Sequence, residues 1–503
     1  MILRPDVRDL RVIASSLGRV VAGVGALMVL PAAVAAGHHE WDAMSALLLS
    51  GALAVLTGRL ATLLLPSRRP ATWTHGMVTI GLSWLVAPVF AGLPLFLAGH
   101  ADGFLDGYFE ALSGLTTTGL TLVQDLDHLA VSLNLWRHLL QFVGGQSIVI
   151  VILTMFTTTS GHGGSLSLGD IRDNRITPNV SRTGRFILTV AAAFAATGVT
   201  ALTIAGIAAG LGPGRALTHA GALFLTAYDT GGFSLQSTSA SYYHSGAVEA
   251  IVIVLMIAGA LSYGIHFELW RGNRRELLRN IETRTMGLTF LALLTVTFVG
   301  LGRSGAFTDV GPMFRQGLFT LVSAHTTSGL TLSDPRLIVT DWGLLAPAAM
   351  VAAMSVGGMA SSSAGGIKAI RVGLMLKGIF QEVRRVLLPE SAVVLATYHQ
   401  HRRQVLRDVH IRGAATVLLL FLFTFLVGGL ITLFTIPDVD FTEALFESTA
   451  AASNTGMSVG ILEPSAPAVL KVVYALQMWF GRLEFMAVFA LLGYAFAFVR
   501  GRT

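Results

Sequence analysis

Four short stretches hold the residues best suited to chemistry, and that chemistry is coordination of a cation by oxygen. They are Thr116-Thr117-Thr118-Gly119, Asp229-Thr230-Gly231-Gly232, Thr326-Thr327-Ser328-Gly329 and Ser453-Asn454-Thr455-Gly456. Each reads small polar, small polar, small, glycine, and continues with a large apolar residue, a hydroxyl and an aliphatic side chain. Glycine has no Cβ and takes positive φ, so it lets consecutive carbonyls turn toward a common axis where a side chain would obstruct. A ring of such carbonyls can replace the water shell of an alkali cation. A pattern that recurs roughly every 100 residues is the mark of internal repetition. In three of the four copies a phenylalanine also stands ten residues before the glycine (Phe109, Phe319, Phe446). Small residues can instead serve only to let helices approach closely in a membrane, but that role asks for no matched positions in four copies.

Composition says which elements must position these stretches. The chain has 53% hydrophobic and 12% charged residues and a mean hydropathy of +0.69, where soluble domains are about 25% charged. It reads as an all-α polytopic membrane protein. Two apolar stretches, about 12–36 and 43–65, open the chain, each long enough to cross roughly 30 Å of hydrocarbon. His38, His39 and Glu40 between them are adjacent and poorly spaced as metal ligands, so a solvated loop is expected.

One order then recurs four times: an apolar span, a short amphipathic segment, a glycine stretch and a second span. The spans are expected at 73–97 and 131–156, 186–211 and 247–269, 286–301 and 342–354, and 414–436 and 468–499. The short segments, at 104–116, 216–228, 313–325 and 441–452, have too few residues to cross a bilayer and are expected to re-enter it as pore helices. Their partly negative C-terminal ends would face the glycine stretches, which favours a cation there. Irregular backbone at membrane depth must line a watery cavity or be buried in protein. The expected division is a two-helix segment at 1–70 followed by pore repeats at 71–160, 161–275, 276–385 and 386–503 around a central pore.

Charge sets the orientation. About 25 of the 34 lysines and arginines lie at the N-terminus, in connectors at 66–70, 172–185, 271–284 and 368–412, or at the C-terminus. The positive-inside rule makes these connectors and both termini cytoplasmic and turns the glycine stretches outward. Topology thus accounts for the net charge of +6, and no nucleic-acid partner is expected. The absence of cysteine excludes disulfides, thiolate metal sites and cysteine nucleophiles. The opening residues MILRPDVRDL show no cleavage signal. There is no HExxH or GxSG motif, and only Asp229 and His325 near the glycine stretches would serve an intramembrane enzyme, so no enzyme is expected.

Two further places attract attention. Gly357, Gly358, Ser361, Ser362, Ser363, Gly365 and Gly366 crowd into the last span of the third repeat, where a continuous helix would be weak and kinked. Lys368 and Arg371 follow and would anchor its cytoplasmic end or snorkel to the interface. Arg482 falls near the middle of the last span, where an unpaired charge is expensive, so it must face protein or water. Glu484, two positions on, would lie on a different helix face and is not its expected partner.

The loops TTTGLTL, TGGFS, TTSGLTL and NTGMSVGI resemble the filter loops of the Trk/Ktr/HKT superfamily of potassium transporters. So do Trp136-Arg137 followed by Gly144-Gly145, the run from Gly357 to Lys368, and Gly481-Arg482-Leu483-Glu484. With two extra N-terminal spans, the chain is most similar to the bacterial Trk-type membrane subunit. The resemblance implies potassium uptake across the cytoplasmic (inner) membrane, with the four tetrads as a selectivity filter, potassium as the transported ion and no organic cofactor on this chain. Glycine at Gly119, Gly232, Gly329 and Gly456 goes with potassium preference in that family, whereas serine in the first loop accompanies sodium permeation in some plant members. Sodium-permeable or sodium-coupled transport is the nearest alternative. The resemblance also implies that 357–366 is an intramembrane gate loop and that Arg482 supports the pore or projects into it. It implies a homodimer in membrane lipid, regulated by a separate cytosolic nucleotide-binding ring, since no phosphate-binding Gly-rich loop follows a strand here. Asp229, Gln146-Ser147 and Ser361 depart from the family pattern.

Overall fold

The structure is a computed structural model that describes residues 6–66, 71–155, 180–389 and 395–500. Of the expected basic connectors at 66–70 and 172–185, residues 67–70 and 172–179 lie outside the described residues, as does the side chain of Ser147. The chain is an all-α polytopic membrane protein. Six described helices are long and apolar enough to cross a bilayer: Val7–Gly37, Trp41–Leu64, Trp73–Leu97, Gly184–Ala208, Ile281–Ser304 and Asp408–Thr435. Two bent pairs, Gly246–Ala260 with Tyr263–Trp270 and Ala468–Arg482 with Met486–Arg500, pass the same test together.

The first two spans pack through glycine. A Cβ on Gly25 would fall 2.7 Å from that of Ala54, and Gly18 and Gly58 make the same approach two turns away. Lipid tails are as apolar as the helices, so close van der Waals packing of this kind holds them together. The loop between them does more than meet solvent. The Glu40 carboxylate accepts hydrogen bonds from the backbone N–H of Val131 (2.7 Å) and Ser132 (3.0 Å). It thereby satisfies two of the free donors at the start of the helix Val131–Met155.

The four short segments are helices: Phe104–Leu115, Pro213–Tyr228, Val310–His325 and Phe441–Ala452. Phe109, Phe319 and Phe446 are buried along them. Each packs between an outer and an inner helix of its own repeat, for which the inner ones start at Val131, Gly246, Leu345 and Ala468.

Three inner helices are broken, where the sequence suggested a break in the third repeat alone. The second bends by 101° after Ala260 and the fourth by 108° after Arg482. Ser262 restarts the second by accepting a hydrogen bond from the N–H of Ile265 (3.3 Å). Glu484 and Phe485 turn the fourth with positive φ of 48° and 65°. The inner helices approach the pore helices closely near these points. A Cβ on Gly144, Gly259 or Gly481 would collide with the carbonyl oxygen of Leu115, Tyr228 or Ala452, each the last residue of a pore helix. The inner helix must pass directly beneath that carbonyl, and in two of these three cases it bends immediately afterwards.

A second difference from the sequence reading is a short antiparallel hairpin, Thr397–Gln400 with Arg402–Val405, between the third and fourth repeats.

Candidate functional site

The four tetrads share one backbone conformation. Thr116, Asp229, Thr326 and Ser453 close their pore helices with φ between −86° and −83° and ψ near zero. The next residues, Thr117, Thr230, Thr327 and Asn454, all have φ between 50° and 55°. Gly119, Gly232, Gly329 and Gly456 follow at 92°, 83°, 77° and 73°. Positive φ at three β-branched threonines is a strained conformation, of the kind that persists only where its surroundings over-determine it. Here the last turn of each pore helix does so. The N–H groups of Thr117 and Thr118 donate back to Gly114 and Ser113 (both 2.9 Å). Thr327 and Ser328 donate to Ala324 (3.1 Å) and Ser323 (2.8 Å), and Asn454 and Thr455 to Ala451 (3.1 Å) and Ala450 (2.8 Å). In the second copy Gly231 donates to Thr226 (2.8 Å). With the donors turned backwards, the carbonyls are left for the other side.

The glycines show where that side is. A Cβ on Gly119 would lie 2.5 Å from the carbonyl oxygen of Gly231, and one on Gly232 would lie 2.9 Å from that of Ser328. A Cβ on Gly329 would collide with the carbonyl oxygen of Thr455, and one on Gly456 with that of Thr118. The first loop meets the second, the second the third, the third the fourth and the fourth the first. The ring closes, with the carbonyls of Thr118, Gly231, Ser328 and Thr455 converging on it. All sixteen tetrad residues are thus brought together around one axis, buried except at Gly232 and Gly456, which are half-buried.

Each loop is held from behind. Hydroxyl pairs tie Thr116 to Thr118 (2.8 Å), Thr326 to Ser328 (2.9 Å) and Ser453 to Thr455 (2.7 Å). The second copy has no such pair, because Asp229 and Gly231 occupy those places. There the Gln146 side-chain amide donates to Oδ1 of Asp229 and its oxygen accepts from the Tyr263 hydroxyl (2.7 Å), while the Gln141 amide donates to the carbonyl of Gly231. Two positions that depart from the family pattern, Asp229 and Gln146, therefore contact each other. The Asn454 amide joins the fourth loop to Thr118 Oγ1 of the first (2.9 Å).

The run 357–366 is a buried loop between the helices Leu345–Val356 and Ala369–Leu387. It touches three tetrads. Gly365 N–H donates to Thr327 Oγ1 (2.7 Å), Gly366 N–H to the Ser453 carbonyl (2.9 Å), and Thr230 Oγ1 to Ser363 Oγ (3.4 Å). Gly357 and Gly366 have φ of 68° and 77°. The Ser361 carbonyl accepts from Tyr263 N–H (3.2 Å), Ser362 Oγ donates to the Met359 carbonyl (2.6 Å), and Gly358 packs against the Ala260 carbonyl. Lys368 turns back on the loop and donates to the Ala364 carbonyl. Arg482 ends its helix and clamps the loop to the first repeat, donating to the carbonyls of Ser363 (2.7 Å) and Gly144 (3.0 Å). Glu484 pairs with Arg371, so the loop is tied to the fourth repeat at its far end as well.

Residues 45–492 match the TrkH family, described as a cation transport protein. The chain belongs to this family. TrkH-family relatives include the Trk system potassium uptake protein TrkH of Halomonas elongata, 29% identical over 88% of this chain and 91% of that one. The Trk system potassium uptake protein TrkH of Escherichia coli strain K12 is 28% identical over 83% and 84%. An uncharacterized cation transporter of Methanocaldococcus jannaschii is 27% identical over 97% of both chains. The crystal structure of the potassium transporter TrkH from Vibrio parahaemolyticus matches with a TM-score of 0.80 over 96% of this chain and 98% of that one, at 24% identity, which establishes the shared fold. The TrkH family is one of transporters and not of enzymes. Asp229 and His325, the two residues an enzyme would need, stand apart, the former on Gln146 and the latter on Thr289 Oγ1 (2.9 Å).

Sequence reasoning missed the carboxylates that hold the outgoing limbs. Glu110 accepts from Thr121 Oγ1 (2.8 Å), the N–H of Leu122 (3.0 Å) and Arg137 Nε (2.7 Å), and Glu447 accepts from Ser458 Oγ and the N–H of Val459 (both 2.7 Å). The signal was present as a Phe-Glu pair, Phe109-Glu110 and Phe446-Glu447, at matched distance from the glycine in the first and fourth copies.

Proposed function

We propose that this chain is the membrane subunit of a potassium uptake system of the cytoplasmic membrane. The observation that carries the reading is the closed ring in which each tetrad glycine meets the carbonyl of the next loop. Relatives bearing the name Trk system potassium uptake protein support potassium as the ion. In this reading the sixteen tetrad residues are the selectivity filter, and four loops of carbonyls take the place of the ion's water. The loop 357–366 is the gate beneath it. Its ties to three tetrads and to Arg482 give it a route to block or open the path without altering the filter itself. The 1–70 segment and four pore repeats are the working units. Both termini and the basic connectors face the cytoplasm, where a separate nucleotide-binding ring would bind a homodimer and regulate it.

Rubidium uptake into liposomes holding only this chain, with and without competing sodium, tests the reading. Uptake that potassium competes strongly and sodium weakly is expected. Equal competition by sodium would replace it with the sodium-permeable alternative, and no uptake of either ion by folded protein would remove the channel-like reading.

A further inference from the structure

A cavity of about 360 Å³ opens between the helices Ile281–Ser304 and Ala369–Leu387 and the hairpin Thr397–Val405. Arg279, Arg284, Lys377 and Arg403 line it, and no carboxylate does among the described residues, the nearby Glu276 being engaged by the lining His399 (2.9 Å). Three of these cations each hold one backbone or hydroxyl oxygen: Arg284 that of Leu278 (2.7 Å), Lys377 that of Thr397 (2.8 Å) and Arg403 Thr397 Oγ1 (3.2 Å). Several basic side chains elsewhere find acids, as in Arg137 with Glu110, Arg315 with Glu249, Arg385 with Glu382 and Lys471 with Asp106. Here four cations line one cavity with no carboxylate among the described lining residues, and like charges gathered in one place repel. An anion would relieve that repulsion.

The other half of the cavity is apolar. Leu288, Leu376 and Phe380 line it, and Leu288 and Phe380 are 63% and 69% exposed, the former on a helix apolar enough to span a membrane. Ile281, at the edge of the same cavity, begins a membrane span, so on that wall Arg279 and Arg284 sit at the level where lipid headgroups lie and Leu288 lies deeper. A free phosphate or a nucleotide would use only the first half, and a soluble protein surface would not extend down a span. An anionic phospholipid uses both, and basic pockets between membrane helices on the cytoplasmic side suit such headgroups.

We propose that this cavity binds the phosphate of one anionic phospholipid, with acyl chain laid along Leu288 and Phe380, and that the bound lipid restrains the neighbouring gate loop. The restraint follows from the two walls. Glu282, between Arg279 and Arg284 in the chain, accepts the N–H of Ala360 in the loop (2.8 Å), and the helix Ala369–Leu387 starts where the loop ends. A lipid that bridges the two helices fixes both ends of the loop relative to each other. The site rests on the membrane placement proposed above but not on potassium as the ion.

Native mass spectrometry of the full chain in mild detergent, titrated with phosphatidylglycerol or phosphatidylcholine, tests the binding. The wild type should retain one phosphatidylglycerol in preference to phosphatidylcholine. Arg284→Gln with Lys377→Gln should weaken that affinity roughly thirtyfold, taking about 1 kcal/mol for each basic residue near a membrane surface and about 1.4 kcal/mol per tenfold. Arg385→Gln, on the same helix but paired with Glu382, should leave it unchanged. Should the double variant misfold, the exposed rim variants Arg279→Gln and Arg403→Gln should each weaken binding about fivefold. Equal binding of the two lipids by the wild type overturns the proposal, as does unchanged phosphatidylglycerol binding in folded variants. Displacement of the lipid by inorganic phosphate would make this a free-phosphate site and also overturns it. So does a variant that keeps the lipid but loses a cytosolic ring partner, which would mark a protein interface. Rubidium flux in liposomes should change with phosphatidylglycerol content in the wild type and not in the double variant, and flux indifferent to the lipid overturns the gating half.

Discussion

Gly119→Ser is the most direct perturbation of the proposed filter. Gly119 has φ of +92°, and a Cβ there would lie 2.5 Å from the carbonyl oxygen of Gly231 and 2.8 Å from Cα of Gly232. Ordinary contact begins at 3.4 Å, so one of the two loops must yield by 3.4 − 2.5 = 0.9 Å. Left-handed backbone adds about 1–2 kcal/mol for a residue with a Cβ. That backbone term alone shifts the balance between the seated and displaced loop by a factor of about 5–30. The carbonyl most affected, that of Gly231, is one of the four that converge on the ring, so potassium-over-sodium preference should fall by a similar factor. Rubidium uptake into proteoliposomes with sodium competition measures it. Gly246→Ser serves as the control, since a Cβ there meets nothing within 4 Å. Gly456→Ser, which would strike the Thr118 carbonyl more closely still, should lose more. An unchanged preference in well-expressed, folded Gly119→Ser would refute the ring as the seat of selectivity.

Deleting several residues within 357–366 should raise basal flux and leave ion preference alone, because the loop meets the tetrads from one side and contributes none of the four converging carbonyls; flux at background in folded protein would show the run to be structural. Asp229→Asn keeps an acceptor for Gln146 and should leave apparent potassium affinity within about threefold, or about 0.7 kcal/mol, while lowering the thermal midpoint of the purified protein; a large affinity loss at unchanged midpoint would place the carboxylate in the ion path. Gln146→Leu strands both the Asp229 carboxylate and the Tyr263 hydroxyl, at about 1–3 kcal/mol for each group left without a partner, and should be the more destabilising of the two in thermal unfolding. Burial holds the His401 imidazole below its ordinary value, against the opposing pull of Glu276 and Glu268 and with a smaller push from His399. The unfolded hairpin takes up this proton near pH 6.5 and the folded one only lower, so hairpin stability present at neutral pH declines as pH falls below about 6.5. Hydrogen exchange over 397–405, corrected for its intrinsic pH dependence, should rise from about pH 7.5 to about 5.5, and His401→Gln should flatten the response.

The pore helices were legible because short amphipathic runs punctuated by small polar residues and glycine leave few alternatives in so apolar a chain. The third inner helix was legible for the same reason, four glycines and three serines in ten residues. The breaks at Leu261-Ser262 and Leu483–Phe485 were not, since neither contains glycine or proline and the apolar sequence resumes after both. What accompanies them is tertiary: a glycine two residues earlier passing under a pore-helix carbonyl, as Gly144 also does in an unbroken helix, and, in the fourth, Glu484 reaching Arg371. Arg482 was correctly read as a charge that must face protein, but its partners are two carbonyls brought from 119 and 338 positions away in the chain. Spacing along one helix carries no trace of them. The Asp229–Gln146 contact was visible only as two separate departures from a pattern, and the sequence offers no way to pair them without the fold.

That contact bears on how four unlike loops keep one conformation. The tetrads differ in side chains yet agree in φ at two successive turning points to within 5° at the first and 19° at the glycine. Each strained residue resists the conformation by itself; the backbone bonds to the last pore-helix turn are common to all four loops, while the side-chain supports differ: hydroxyl pairs in three loops, Glu110 with Arg137 behind the first, Glu447 behind the fourth, and Gln141, Gln146 and Asp229 around the second. A symmetric ring therefore stands on an asymmetric frame. Coordination needs the carbonyls to match, whereas a support needs only to satisfy its own loop, which leaves the supporting residues free to differ from repeat to repeat. It follows that substitutions in the supports should act on stability first, and reach ion preference only when a loop is released altogether.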